Sequence, residues 1–535
     1  MLLLLAIIAF YFYGLGYLPL VGPDEPRYVQ VAREMFLRSD LITPTLGGHT
    51  WFEKPALLYW MMGLNFRLFG ISEWSARLGS AVCGVLTIVP VYWVGRRVEI
   101  LSGDPDLRHL GCLSALVLAT TPGIIAFSRG ASFDIVVTMT TTWALSCVLL
   151  AELEPSDVRR RWLLIAAYVF VGLSLLAKGL VGLFIPGEVL FFYCLLRRSF
   201  PPRWFVSSLL WGLPITIAVA AVWYVPVISK HGWAFIDEFF IQHHFARYLS
   251  NKYHHPQPFF YYVLIIFPLA LPWLVFAIDA IRRIRRSTWR EKTPLSRLRA
   301  FVFAWFIMPL LFFSFSGSKL PGYILPVLPA LALISGERVA RFVAGRDGSS
   351  PLLVIAALLI LFSLGAIGYA TATHELSVRC AILIVLPLLV ASILVLLMRE
   401  KRTLAVILIA LAIPMSFFVA LNCGIPQLAQ RYSAQQLVAR ANERGYGSAP
   451  VYSLHEMDRG TEYYAAGRVV YDSEGQPMKL EGPFEVLEAA KERNGPVLVV
   501  VPLQYLYQLL GLPSADVDVI ISNGEVAIAA VRARS

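Results

Sequence analysis

Apolar residues recur along this chain in runs of about twenty, each closed by a short polar or basic stretch. A helix of that length rises about 30 Å, the thickness of a bilayer's hydrocarbon core. Such runs cover residues 1–20, 76–96, 110–127, 132–152, 162–177, 180–196, 206–228, 258–280, 300–315, 321–336, 351–372, 379–398 and 403–423. The expected fold is a polytopic α-helical membrane protein of about thirteen transmembrane helices with a C-terminal soluble α/β domain. The first run has no basic leader and no small-residue cleavage pattern, and Asp24-Glu25 follows at once, so it is expected to stay as a membrane helix. After Cys423 the rhythm changes. Gln427 to Arg444 reads as an amphipathic helix, and strand-like runs then alternate with helix-like ones: Pro450–Leu454, Thr461–Ala466, Val469–Tyr471, Phe484–Glu492, Pro496–Val501, Tyr505–Leu510, Val517–Ile521 and Val526–Val531. The division read from this is a membrane domain over 1–423, with juxtamembrane helices in 22–75, and a soluble domain over 424–535.

Composition agrees with the pattern: 57% of residues are hydrophobic and 15% charged, and the mean hydropathy is +0.65. The net charge of +11 would suit nucleic acid, but its distribution argues against that partner. Arg96-Arg97, Arg159-Arg160-Arg161, Arg197-Arg198, the run from Arg282 to Arg299, Arg338 to Arg346 and Arg399 to Arg402 all follow even-numbered spans. Positive loops stay cytoplasmic, so the first polar loop and everything beyond Cys423 are expected on the opposite face. The six cysteines lie within or at the ends of apolar runs with no CxxC spacing, which indicates neither a disulfide nor a thiolate metal site.

The outward loops carry the chemistry. The first holds Gly22-Pro23-Asp24-Glu25-Pro26-Arg27-Tyr28 and, some twenty residues later, Trp51-Phe52-Glu53-Lys54-Pro55, with helical periodicity from Arg27 to Leu37 and from Ala56 to Phe69. Charges are costly beside a bilayer, so this gathering reads as a site, against the plainer reading of a solvated connector. Further outward loops present Arg129 and Asp134, then Lys178-Gly179, then Lys319 and Tyr323. Carboxylates, cations and membrane-surface helices together suit a polar headgroup carried on a lipid. Arg27, Lys54, Arg129, Lys178 and Lys319 are candidate phosphate contacts, although each alone would serve as an interface anchor. The C-terminal segment shows no phosphate-binding glycine fingerprint and no nucleophile elbow, which reads as a cover or docking module without chemistry of its own.

Asp24-Glu25 after the first span, Phe52-Glu53-Lys54-Pro55, Asp134, Lys178-Gly179 and Lys319-Leu320-Pro321-Gly322-Tyr323-Ile324-Leu325-Pro326 together resemble the polyprenyl-phosphate-sugar glycosyltransferases of the GT-C class. Within that class the chain looks most like the bacterial lipid A aminoarabinose transferases, related to protein O-mannosyltransferases. The resemblance implies transfer of 4-amino-4-deoxy-L-arabinose from undecaprenyl phosphate to a phosphate of lipid A, on the periplasmic face of the bacterial inner membrane. The consequence would be lipopolysaccharide modification and resistance to cationic peptides. It also implies Asp24 as the central catalytic residue, Glu25 and Asp134 in supporting roles, and Arg27, Tyr28, Lys54, Arg129, Lys178, Arg247, Lys319 and Tyr323 in substrate or phosphate binding. A phosphate acceptor is already ionised near neutral pH, so positioning and charge stabilisation matter more than a strong base. A hydroxyl acceptor, on a protein or another glycan, would instead need Asp24 to take a proton. A transporter or flippase for a lipid-linked sugar would share the hydropathy, but should show ionisable residues at mid-membrane depth or repeated broken helices. A docking protein would have no reason to gather acids and lysines in one loop.

The fourth outward loop holds His231, His243, His244, His254 and His255. His243-His244 before Phe245-Ala246-Arg247 resembles a histidine placement in the aminoarabinose transferases. Imidazole with carboxylate is a common zinc pair, so Glu53 and His244 are candidate ligands of a divalent metal, zinc by preference, that would hold a phosphate. Against this, no HxxxH or HExxH spacing is present, and interface histidines often only bond water or carbonyls.

Overall fold

The computed structural model describes residues 2–246, 257–283, 289–465, 467–472 and 475–534. It divides into two compact units: residues 1–13, 52–58 and 77–420 form the first, and residues 14–51, 59–76 and 421–535 the second.

The first unit is helical. Among the described residues, nine helices are long and apolar enough to cross a membrane, or ten if the pair Tyr261–Ala270 and Leu274–Arg283, bent by 119°, is one span. The other expected runs are also helical but shorter or broken: Leu2–Phe12, then Leu110–Ala119 with Pro122–Phe127, and Val181–Arg197. Sequence punctuates these helices by ordinary means. Ser132, Ser156, Thr293 and Ser377 cap helix starts by accepting a backbone N–H. In Phe133–Leu153 the buried Thr138, Thr140, Thr141 and Thr142 hydroxyls donate to carbonyls one turn back, which satisfies them without water. At the basic ends the arginines are paired: Arg338 lies 2.8 Å from Asp279 and 2.7 Å from Asp347, and Arg299 binds Glu337.

The second unit gathers the first polar loop and the C-terminal segment. The loop folds as a helix over Asp24–Leu37 and a two-residue hairpin, β1 (Thr45–Leu46) and β2 (His49–Thr50). Glu34 fixes the hairpin by accepting from Thr45 Oγ1 at 2.7 Å and from the Gly47 and Gly48 amides at 2.7 and 3.2 Å. Five more strands follow: β3 (Val451–Leu454), β4 (Lys479–Leu480), β5 (Val497–Pro502), β6 (Ala515–Ser522) and β7 (Val526–Ala533). They form one sheet in the order β4-β3-β5-β7-β6, with β3 parallel to β4 and β5, and β7 antiparallel to β5 and β6. Strand alternation sends Val497, Val499 and Val501 to one face, with Val486 and Ala490 of helix Pro483–Glu492. It sends Leu498 and Val500 to the other, with Leu437, Val438 and Ala441 of helix Gln435–Ala441. This α/β sandwich is the architecture expected from the pattern. The long amphipathic helix expected over Gln427–Arg444 is instead broken into Ile425–Arg431 and Gln435–Ala441.

The cysteine expectation is corrected. Cys380 and Cys423 are disulfide-bonded. They stand near the start of helix Val378–Leu397 and just past the end of helix Arg402–Asn422. Neither has a second cysteine close by in sequence, so no local spacing marks it.

Candidate active site

In the first unit, Asp134 opens the helix Phe133–Leu153 and Lys178 closes the helix Asp157–Lys178, and the two side chains form an ion pair. Capping sets both ends: Ser132 accepts the Asp134 amide, and Gly179 at φ +66° turns the chain sharply after Lys178. The Lys178 ammonium also sits 4.1 Å from the centre of the Tyr323 ring, so one cation is shared between a carboxylate and an aromatic face. Gly322 lets that loop come close, since a Cβ there would lie 1.9 Å from Asp134 Oδ2.

Lys178 and Tyr323 line a cavity of about 420 Å³ together with Glu53 and Lys54, whose charged ends are 2.9 Å apart. Much of the remaining wall is apolar, including Leu180, Val181, Phe184 and Phe313. Glu53 is only 6% exposed. The backbone is held at this point by the Phe52 amide, which donates to Glu238 Oε1 at 3.1 Å. A void with charged groups at one part of its wall and aliphatic and aromatic surface elsewhere suits an amphiphile with an anionic head.

Two other predicted cations are committed to the backbone. Lys319 is buried and donates to the carbonyls of Ser316 at 2.6 Å and Gln257 at 3.0 Å, and burial pushes its ammonium below its usual pKa. Ser316, which it fixes, lines the cavity. Arg129 donates to the carbonyls of Phe10, at 3.0 Å, and Tyr13, and so ties the first helix in place. Burial, and secondarily Arg77, lower its pKa to about 10, which still leaves it charged at neutral pH. Arg247 lies outside the described residues.

Asp24, Glu25, Arg27 and Tyr28 belong to the second unit. The two acids occupy the first turn of Asp24–Leu37, where they complement the helix dipole, and Glu25 accepts the Val21 amide at 3.3 Å. Asp24 is 46% exposed and pairs with Arg27, which is 14% exposed. The Arg27 guanidinium lies 5.3 Å from the Trp51 ring and 5.7 Å from the Tyr28 ring. Arg459 is 6.0 Å from the same Trp51 ring and binds the fully buried Glu462 at 3.3 Å. Burial raises the Glu462 carboxyl's pKa, an effect opposed by Arg459, by Arg27 and by the Tyr471 hydroxyl.

The family described as dolichyl-phosphate-mannose-protein mannosyltransferase matches residues 53–229. A curated undecaprenyl phosphate-alpha-4-amino-4-deoxy-L-arabinose arabinosyl transferase 1 of Pseudomonas fluorescens is 30% identical over 70% of this chain and 64% of its own length. A transferase of the same description from Erwinia tasmaniensis is 30% identical over 66% of this chain and 62% of its own. The chain thus spans under two thirds of these relatives in the matched region. The crystal structure of ArnT from Cupriavidus metallidurans bound to undecaprenyl phosphate superposes with a TM-score of 0.80, at 24% identity, over 99% of this chain and 97% of that one. By fold, this chain is like that crystal structure.

In this fold, Glu53 and His243 line the same cavity, whereas the side chain of His244 lies outside the described residues. Among the described residues no three of histidine, cysteine, aspartate and glutamate come together as metal ligands. Two donors, one of them held by Lys54, fall short of the three protein ligands of a catalytic zinc. The described residues do not by themselves complete such a site.

Sequence reading did not single out Glu34, Glu238, Arg459 or Glu462. Glu462 left only a faint trace, a carboxylate in a short run whose neighbours are threonine and tyrosine, and nothing in that run marks its burial.

Proposed function

We propose that the chain is an integral-membrane glycosyltransferase that moves 4-amino-4-deoxy-L-arabinose from undecaprenyl phosphate to a phosphate of lipid A. The observation that carries this reading is the cavity in which Lys54 and Lys178 meet largely apolar walls. The prenyl chain would follow the apolar surface, and the two ammonium groups would take the phosphate. Both lysines already hold carboxylate partners, so an arriving phosphate competes with Glu53 and Asp134 for charge that is in place and oriented. The names of the curated relatives support the donor and the sugar.

Asp24 is the central carboxylate in this reading, with Glu25 and Asp134 supporting. It orients the acceptor or stabilises positive charge developing on the sugar, since an ionised phosphate acceptor needs no deprotonation. Arg27, Tyr28, Arg129, Arg247, Lys319 and Tyr323 complete the substrate-binding set, with Lys319 and Arg129 acting by fixing backbone. A divalent metal, zinc by preference, would be held by Glu53 and His244, with water or phosphate in the remaining positions, and would offset phosphate charge. Stoichiometric metal in purified protein, lost in Glu53→Ala and His244→Ala, is expected; metal-free wild type that transfers normally would remove it.

The site and the C-terminal segment face the periplasm across the bacterial inner membrane. Cysteine labelling should find residue 535 and the 56–69 segment on one side, and the 282–299 loop on the other. The decisive assay is mass-tagged sugar transfer in proteoliposomes holding the prenyl-phosphate sugar and lipid A. Sugar should appear on lipid A phosphate. Transfer only to a protein hydroxyl or another glycan would change the acceptor, and movement of intact donor lipid without transfer would make the chain a transporter.

A further inference from the structure

The short helix Gly460–Tyr464, in the C-terminal segment, packs against the acid-bearing helix Asp24–Leu37. Ahead of that helix, the Leu20 amide donates to the Tyr464 hydroxyl at 2.8 Å. That hydroxyl in turn donates to Glu73 at 3.2 Å, and Gln435 also binds Glu73, at 3.1 Å, so the anchor is itself held. Further along, Arg33 donates to the Tyr463 carbonyl at 3.3 Å and lies 5.7 Å from the Tyr463 ring. Glu462 precedes both tyrosines in the same short helix.

Glu462 is a fully buried carboxylate. It accepts from Arg459 and, at 3.3 Å, from the Tyr471 hydroxyl, and Arg459 is steadied by Gln476 at 2.9 Å. A buried carboxylate costs several kcal/mol unless cations neutralise it. The cations facing it are Arg459 and Arg27, which share the Trp51 ring. Arg27 is also the partner of Asp24. One chain of charges therefore runs from Arg459 through Glu462 and Arg27 to the half-exposed Asp24.

We propose that Glu462 is a positioning residue for sugar transfer: acting through Arg27, it sets the orientation of the Asp24 carboxylate, which makes the C-terminal segment part of the catalytic apparatus. This rests on the reading of Asp24 as the central catalytic carboxylate. A cover module would have no use for a buried charge aimed at that helix, and an alanine or leucine would pack there without it.

The test uses the full-length protein in proteoliposomes with undecaprenyl-phosphate aminoarabinose and lipid A. Glu462→Gln keeps the shape and removes the charge, and is expected to lower kcat about ten- to a hundredfold, the usual cost of a misplaced catalytic group, with the KM for each substrate within about twofold. Arg27→Lys should lower kcat by a similar factor, and the double variant should fall no further than the worse single one, because both act on the same carboxylate. Additive losses, or wild-type kcat in Glu462→Gln, would overturn the proposal. Should Glu462→Gln not fold, Arg459→Lys serves instead: it keeps a cation and loses the fork, so a kcat drop with steady KM supports the proposal and an unchanged kcat overturns it. Asp24→Asn separates this inference from the reading beneath it. An active Asp24→Asn defeats the site assignment itself, whereas an inactive Asp24→Asn beside an unaffected Glu462→Gln defeats only the role given to Glu462.

Discussion

The cavity of the first unit and the acid helix of the second hold their charges in opposite ways. In the cavity, Lys178 pairs with Asp134 and Lys54 with Glu53 among largely apolar walls, so each ammonium can exchange a carboxylate for a phosphate. In the second unit Asp24 ends a chain of arginines, carboxylate and indole that has several members and a buried root. The first arrangement suits a group that must change partners when a phosphate arrives. The second suits a group that must stay in one orientation. Orientation is expensive to lose in catalysis, and a partner that swaps is what binding needs.

The sharpest way to break this contrast is Asp24→Asn. Asp24 is half-exposed, so the isosteric change should leave folding intact and remove transfer, a loss above about a hundredfold in kcat if it orients the reacting groups. Near-normal turnover would take Asp24 out of the chemistry. Next come Lys178→Ala and Lys54→Ala. Each removes a charge-assisted contact worth roughly 1.5–3 kcal/mol, or about ten- to a hundredfold in use of the lipid phosphate, seen as raised KM or weaker donor binding. Wild-type kinetics in both would move the headgroup elsewhere.

Gly322→Ala tests the close approach behind the Asp134–Lys178 pair. A methyl group 1.9 Å from Asp134 Oδ2 forces one side to shift, and a fall of about tenfold in transfer with unchanged expression is expected. Unaltered activity would show that the pair tolerates displacement. The smallest effect belongs to Glu34→Ala, which strips three hydrogen bonds from the β1–β2 hairpin and should cost about 1–3 kcal/mol of stability, read as a lowered Tm in detergent. Activity should survive it at low temperature, since no group of the cavity is touched.

Much of the fold was open to the sequence because it is local. Apolar runs of bilayer length became helices, and helices expected at 27–37 and 56–69 formed at Asp24–Leu37 and Leu57–Phe69. The expected strands over 450–454, 496–501 and 526–531 formed within about two residues, since strand alternation and helical periodicity each depend on residues a few places apart. Charge at the outward loops was legible for the same reason: ionisable residues stand out in an apolar chain.

What only tertiary structure decided are the pairings. Nothing local joins Asp134 to Lys178, brings Tyr323 over that lysine, or sets Arg27 and Arg459 on one Trp51 ring. Equally, no spacing marked Cys380 and Cys423 as disulfide-bonded, and no pattern distinguished Lys319, spent on two carbonyls, from Lys54, which faces the cavity. A residue's periodicity records which face it shows, but its partner is fixed by how distant segments close on one another. That closure depends on the packing of every element between them.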